Sequence, residues 1–186
     1  MLESEKLKRR SQNLKCYGYI LAFVVFQIAV ILIFSLTVMR VKTPSLRLTS
    51  VTLRNLNYNT TSFDMTLVAQ IAVKNKNFGH FRFDNSTVNV TYGGVIVGDG
   101  DIVKARAKAR KTRRMNVTIE LSSNGVSDDT KLRNDLSSGN LTLSSLASVR
   151  GKVTIMKVMK KRKTANMNCT MIVNLPSQTV HDLACE

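Results

Sequence analysis

The chain has 186 residues and a formal net charge of +16, because 28 Lys and Arg stand against 12 Asp and Glu. A protein this basic is expected to bind anionic partners, such as nucleic acid, lipid headgroups or acidic polysaccharide. The sequence has only two His, the side chain that acts most often in acid–base catalysis. The composition therefore favours a binding protein over an enzyme.

A helix is the first predicted element, over residues 16–39. No charged residue lies between Lys15 and Arg40, and at about 1.5 Å per residue this length crosses a bilayer core of roughly 30 Å. A cleavable signal peptide would have a shorter apolar core, of about 7–15 residues, and a small-residue cleavage site. We therefore expect a basic cytosolic tail at residues 1–15, an uncleaved transmembrane signal anchor at 16–39 and a β domain at 40–186.

After Thr43-Pro44 the apolar pattern takes the two-residue period of β-strands. The clearest predicted strand alternates from Phe63 to Lys74. Further strands are predicted at residues 45–55, 80–84, 87–92, 115–121 and 167–173. The short apolar run at 95–97 lies between two glycine turns, Gly93-Gly94 and Gly98–Gly100, which indicates a hairpin.

The remaining segments complete the predicted fold. Residues 103–111 alternate Ala with Lys or Arg, and we predict a strand there, because a helix would leave no apolar stripe even though Ala and Lys favour helices. Residues 127–139 are predicted to form the one helix of the domain, capped by Ser127 and ended by Gly139. A long strand with a kink near Gly151 is expected over 141–159, followed by a turn at Lys160–Lys163. About seven strands and one short helix, without βαβ alternation, predict a mainly β fold of the β-sandwich type.

Six Asn-x-Ser/Thr sequons lie beyond the predicted anchor, and none has Pro at its middle position. None of their asparagines falls on a predicted core position. They are candidate N-glycosylation sites, which would place the β domain on the exoplasmic side of a membrane: Asn59, Asn85, Asn89, Asn116, Asn140 and Asn168. The alternative is that Asn and Thr simply occupy outward strand positions and turns.

The three cysteines fall into two groups. Cys169 and Cys185 lie 16 residues apart in the C-terminal segment, and a disulfide between them would stabilise the domain by about 3 kcal/mol in an oxidising compartment. Two separate buried thiols are the alternative. Cys16 stands alone at the cytosolic edge of the predicted anchor, where it is a candidate for acylation.

Positive charge is concentrated in two runs of the β domain. Residues 157–163 hold five Lys and Arg, and residues 104–114 hold the seven of the predicted basic patch: Lys104, Arg106, Lys108, Arg110, Lys111, Arg113 and Arg114. Neither run contains the aromatic side chains on which nucleic-acid bases stack, so we expect no nucleic-acid partner. On an exoplasmic face the available polyanions are acidic wall or matrix polysaccharide and lipid phosphates. A solvated surface that only aids solubility is the alternative.

No set of residues in the sequence matches a catalytic or metal-binding pattern. His181 and Asp182 are adjacent, so their side chains should point apart, and the spacing of Cys and His matches no zinc motif. Gly98–Gly100 lacks the downstream Gly and Lys of a phosphate-binding loop. Solvated turn positions are the simpler interpretation for three aspartates that could surround a cation: Asp84, Asp99 and Asp101. We therefore predict no enzymatic activity, no cofactor and no metal.

A family resemblance covers nearly the whole chain. A short basic tail, one apolar helix and a β domain with VKNKNFGHFRFDNSTVNVTYGGVIVGDGDI at residues 73–102 resemble the plant late embryogenesis abundant group 2 proteins. The similarity is to the membrane-anchored members related to non-race-specific disease resistance and harpin-induced proteins. Asn75-Lys76-Asn77 stands in for the Asn-Pro-Asn element of the family, with Lys in place of Pro, and Tyr92-Gly93-Gly94 for its aromatic-glycine step. The resemblance implies an immunoglobulin-like or fibronectin-III-like sandwich at the plasma membrane, without catalysis, in pathogen-defence and water-deficit responses.

The leading hypothesis is a single-pass type II plasma-membrane glycoprotein. Its basic β-sandwich would face the apoplast and bind acidic cell-wall polysaccharide or membrane proteins, while its helix lies in the lipid bilayer. The endoplasmic reticulum is an alternative location. Two other functions stay open: a cytosol-facing lipid- or nucleic-acid-binding module on an internal membrane, and a stress-protective scaffold without a specific ligand. The sequence sets no oligomeric state.

Overall fold

The computed structural model describes residues 2–126, 129–155 and 159–185. The chain divides into two compact units, Met1–Arg40 and Val41–Glu186. Among the described residues the first unit holds helix α1 (Leu2–Val38), and the second holds ten strands, a short 3-10 turn (Ser123–Gly125) and helix α2 (Asp129–Ser138). The predicted fold class, a mainly β sandwich with an N-terminal helix and one further short helix, is confirmed.

Helix α1 begins earlier than predicted. It starts at Leu2 and not at Cys16, since residues 2–15 are rich in Leu, Glu, Lys and Arg, which favour helices. Within the part of the chain that the structure describes, Cys16–Thr37 is the one helical stretch long and apolar enough to cross a membrane. Such an N-terminal helix is compatible with a membrane anchor or with a signal sequence.

The strands of the second unit form two antiparallel sheets. The smaller sheet has the order β1-β2-β7, from β1 (Ser45–Tyr58), β2 (Phe63–Lys74) and β7 (Thr112–Ser122). The larger sheet has seven strands: β3 (His80–Phe83), β4 (Ser86–Tyr92), β5 (Val95–Ile102), β6 (Ala105–Ala107), β8 (Asn140–Ile155), β9 (Met159–Asn174) and β10 (Thr179–Cys185). Alternating apolar residues from both sheets form one core cluster between them, as in other packed sheets.

Strand β8 organises the larger sheet. One edge pairs along its whole length with β9, and the other edge pairs with β4 and then with β3. Strand β5 continues the sheet from β4, and β6 continues it from β3. At Gly151, where a kink is predicted, β8 stays continuous, and a Cβ there would lie only 2.6 Å from the ring of Phe81. The glycine therefore allows β3 to pack closely against β8, and it does not interrupt the strand.

Several local predictions were wrong. The structure has ten strands in its described residues where about seven were predicted, partly because β10 is mostly exposed and has no clear apolar alternation. Lys160–Lys163 is not a turn, since β9 stays paired with β8 through this charged run. Gly98–Gly100 lies inside β5. The strand predicted over residues 103–111 is limited to Ala105–Ala107.

The C-terminal end of helix α2 lies where it was predicted. It ends at Ser138, directly before Gly139, and the buried residues Leu132 and Leu136 join the core cluster. The hydroxyl group of Tyr92, at the end of β4, donates a hydrogen bond of 2.7 Å to Oδ2 of Asp135. The predicted cap, Ser127, lies outside the described residues.

Two buried asparagines join three segments at one end of the sandwich. Asn77 accepts a hydrogen bond from the backbone N–H of Lys42 at 2.6 Å and donates one to its carbonyl at 2.7 Å. The Oδ1 atom of Asn75 accepts the backbone N–H of Asn77 at 3.0 Å. Its Nδ2 atom donates to three backbone carbonyls, those of Gly79, Ala107 and Lys108. Asn75 and Asn77 are each 1% exposed. Lys76, which stands where the family pattern has Pro, is exposed, and the hydrogen bonds of the two asparagines form with Lys at this position.

Candidate anion-binding surface

Four exposed cations line up across the outer face of the larger sheet. Arg106 of β6 lies opposite Arg82 of β3, which in turn lies opposite Lys152 of β8. Lys152 lies opposite Arg162 of β9. Because neighbouring strands are about 4.8 Å apart, this cationic row spans about 14 Å across the strands. Like charges directly opposite each other destabilise a sheet, so an anion bound along the row would relieve a repulsion that the fold otherwise retains.

His80 lies beside this row, and the positive charge of the row affects its pKa. Its Nδ1 atom lies 3.1 Å from Nη2 of Arg106. The pKa of His80 is lowered from its usual value of 6.5, first by partial burial and then by the charges of Arg106 and Arg82. Burial and the neighbouring positive charge therefore both favour the neutral form of the imidazole.

A shallow pocket of about 360 Å³ opens beside the row on β8 and β9. Four cations line it, Arg150, Lys152, Arg162 and Lys163, together with the carboxylate of Asp84. This pocket combines positive charge with one carboxylate, a combination suited to a ligand that has both acidic and hydroxyl groups.

The predicted basic patch is divided by the fold. Only Arg106 belongs to the cationic row, while Lys104 precedes β6 and its backbone N–H bonds to Oδ1 of Asn85 at 2.7 Å. The guanidinium group of Arg110 stacks over Phe78 at 5.0 Å in the connection from β6 to β7, which also holds the exposed residues Lys108 and Lys111. Arg113 and Arg114 lie on β7 of the smaller sheet. Sequence reasoning missed Arg82 and Lys152, because only strand register brings them beside Arg106.

The six sequon asparagines all lie at the surface of the β domain. Asn89 is half-buried and the other five are exposed: Asn59, Asn85, Asn116, Asn140 and Asn168. Asn89 of β4 lies opposite Leu146 of β8, which lies opposite Asn168 of β9. Two candidate acceptors thus flank one exposed leucine on the outer face of the larger sheet, on a half of that face separate from the cationic row.

The distal cysteines lie opposite each other on β9 and β10. Their sulfur atoms are at bonding distance, 2.04 Å, so the structure contains the disulfide Cys169–Cys185. Cys169 is fully buried in the core cluster. Cys16, in helix α1, is a free and exposed thiol.

The candidates for catalysis and metal binding form no cluster of three in the described residues. Asp99 and Asp101 are exposed on β5, and Asp84 follows β3. The imidazole of His181 bonds to Oγ1 of Thr179 at 2.8 Å on exposed β10. Within the described ranges, no three His, Cys, Asp or Glu side chains converge as a metal site would require.

The sandwich and its cationic row define a mainly β protein with a charged outer sheet face. Residues 70–171 match the model of the LEA_2 family, described as late embryogenesis abundant protein. A curated late embryogenesis abundant protein of Arabidopsis thaliana, At1g64065, is 36% identical over 178 residues, which cover 92% of this chain and 83% of the relative. The chain belongs to the LEA_2 family, a stress-related family that is generally non-enzymatic. The predicted family is confirmed.

Solved structures also align with the chain. The solution structure of AT1g01470 from Arabidopsis thaliana has a TM-score of 0.46 and 13% identity, over 70% of this chain and 82% of that chain. A crystal structure of a protein from Archaeoglobus fulgidus has a TM-score of 0.36 and 14% identity, over 66% of this chain and 94% of the other. The family assignment rests on the sequence matches.

Proposed function

We propose that this protein is a non-enzymatic, single-pass membrane glycoprotein whose β domain binds an acidic polymer of the cell wall. Helix α1 anchors it in the plasma membrane, and the β domain faces the exoplasmic side. The cationic row is the observation that supports this proposal most strongly, because four like charges in register repel one another and an anionic ligand would relieve that repulsion. Exposed charges interact over only about 8 Å at physiological ionic strength, so binding is multivalent and sensitive to salt.

The exoplasmic orientation is supported by the sequons and by the disulfide. Five of the six sequon asparagines are exposed and Asn89 is half-buried, so none lies in the core, and a disulfide is retained in an oxidising compartment. Cys16 then lies on the cytosolic side, where it is available for acylation. The proposal includes no catalytic role, because the LEA_2 family is generally non-enzymatic.

Glycosylation and orientation are tested together on the full chain in a plant membrane fraction. We expect the protein to migrate faster on a gel after an N-glycosidase treatment, since the sequons carry glycan. External protease should digest the β domain in sealed right-side-out vesicles. A variant with all six sequon Asn changed to Gln is the control and should migrate at the same position before and after the enzyme. An unchanged mobility of the wild type, together with protease access only in inside-out vesicles, would support the cytosol-facing alternative.

Polymer binding is tested with the full chain in phosphatidylcholine nanodiscs and polygalacturonate on beads. We expect retention at low salt and release at about 1 M salt, where charges are screened within about 3 Å. Equal retention on a neutral glucan, or retention that salt does not change, would contradict the proposal. Preferred binding to vesicles that contain anionic lipid would favour the lipid-binding alternative.

A further inference from the structure

We propose that the cationic row is the binding subsite for a linear polyuronate, which lies across the strands with its carboxylates in contact with Arg106, Arg82, Lys152 and Arg162. This inference rests on the proposed function and specifies its ligand and its site. The ligand is a chain of sugar rings that each carry one carboxylate.

The spacing of the row favours a linear polymer. Each step from one strand to the next is about 4.8 Å, close to the length of one sugar ring with its glycosidic oxygen. The row has defined ends, because β6 is the last strand on one side and β10 pairs with β9 only at residues 169–174. A ligand longer than the row therefore gains little further affinity.

The chemistry beside the row favours an acidic sugar over a bare phosphate. Asp84 lines the same pocket as Lys152 and Arg162. A carboxylate repels a phosphate group, but it accepts hydrogen bonds from the hydroxyl groups of a sugar. The guanidinium groups of the row form paired hydrogen bonds with carboxylates.

The rest of the outer face leaves the row open. The other half of this face holds a pocket of about 450 Å³ lined by uncharged residues, among them Thr87, Ser148 and Asn166. The candidate glycan acceptors Asn89 and Asn168 lie in that half. Their shared partner Leu146 is six residues from Lys152 along β8, about 20 Å at roughly 3.3 Å per residue, so a glycan on either asparagine is attached well away from the cations.

The test compares two variants of the full chain in phosphatidylcholine nanodiscs, with the monomer, tetramer, octamer and polymer of galacturonate as probes. Arg82→Gln with Lys152→Gln removes the centre of the row. The matched control, Arg47→Gln with Arg54→Gln, removes the same charge from exposed positions of β1 in the smaller sheet. We expect octamer affinity to fall about tenfold in the row variant, as two exposed charge contacts are lost, and to change about twofold or less in the control.

A variant that keeps both positive charges separates a loss of binding from a loss of folding. Arg82→Lys with Lys152→Arg should bind the octamer within about threefold of wild type, and the monomer should bind far more weakly than the octamer. Equal losses in the row and control variants would overturn the subsite while leaving polymer binding intact. An octamer no better than the monomer would overturn the linear ligand. Loss of anionic-vesicle binding in the row variant, with octamer binding unchanged, would assign the row to lipid. No binding of polymer by wild type would instead reject the proposed function itself.

Discussion

Asn75→Ala should destabilise the β domain by about 3–4 kcal/mol, since it leaves several buried backbone groups without partners. The side chain accepts the N–H of Asn77 and donates to carbonyls of three other residues, and it is 1% exposed. Alanine can neither accept nor donate these bonds. The free energy of unfolding is measured on the full chain in detergent, by denaturant titration with the near-ultraviolet circular dichroism signal of its tyrosines.

Asn134→Ala is the matched control for this substitution. Asn134 is exposed on helix α2, so the same chemical change should alter the free energy of unfolding by about 0.5 kcal/mol or less. If Asn75→Ala proved as mild as Asn134→Ala, the asparagine network would not hold this end of the sandwich together.

Gly98→Ala should cost about 3 kcal/mol of stability by overpacking two strands. Strand β5 crosses closely over β7 of the other sheet, and a Cβ at Gly98 would overlap the carbonyl oxygen of Glu120 and lie 2.6 Å from Cδ2 of Leu121. The backbone of β7 cannot move away without disturbing its pairing with β2. The midpoint of thermal unfolding measures the effect.

Gly125→Ala provides the comparison for Gly98. A Cβ at Gly125 would meet its nearest atom, the carbonyl oxygen of Ile96, at 3.9 Å, which is ordinary contact. We expect a change of about 1 kcal/mol or less. Equal unfolding midpoints for the two variants would show that β5 and β7 have room between them.

The two-residue period of apolar residues in the sequence correctly predicted strands that are buried on one face, such as β2. Strand β2 runs from Phe63 to Lys74 as predicted, and its alternation is visible because one face packs in the core and the other stays half-exposed. The same alternation predicted that the sequon residues Asn89, Asn116 and Asn168 lie on the outward faces of their strands, and none of the three is in the core. These features depend on neighbours in sequence, so a single sequence is enough to predict them.

Other features depend on contacts between distant segments. Gly98 and Gly100 resemble a turn in the sequence, but both lie within strand β5. They are glycines because β7 leaves no room for a side chain at either position. Lys160–Lys163 looks like a solvated turn, yet pairing with β8 keeps it extended. Propensity and charge were outweighed by tertiary pairing in both cases.

The cationic row could not be predicted for the same reason. Its residues lie up to 80 positions apart in the sequence, and Arg82 and Lys152 are single charges outside the predicted basic patch. The patch itself, although contiguous in sequence, is divided between two sheets. Register across four strands, and not local charge density, creates the candidate site.

The most direct test of anion binding on the row is the titration of His80 by NMR, in the full chain labelled at its two histidines. Free, His80 should have a pKa below 6.5, because it is partly buried and lies beside Arg106 and Arg82. A bound galacturonate octamer should raise that pKa, since nearby carboxylates favour the charged imidazolium, and the neutral methyl ester of the octamer should leave it unchanged. A pKa that stays constant while the octamer binds would place the polymer elsewhere on the protein and contradict the account.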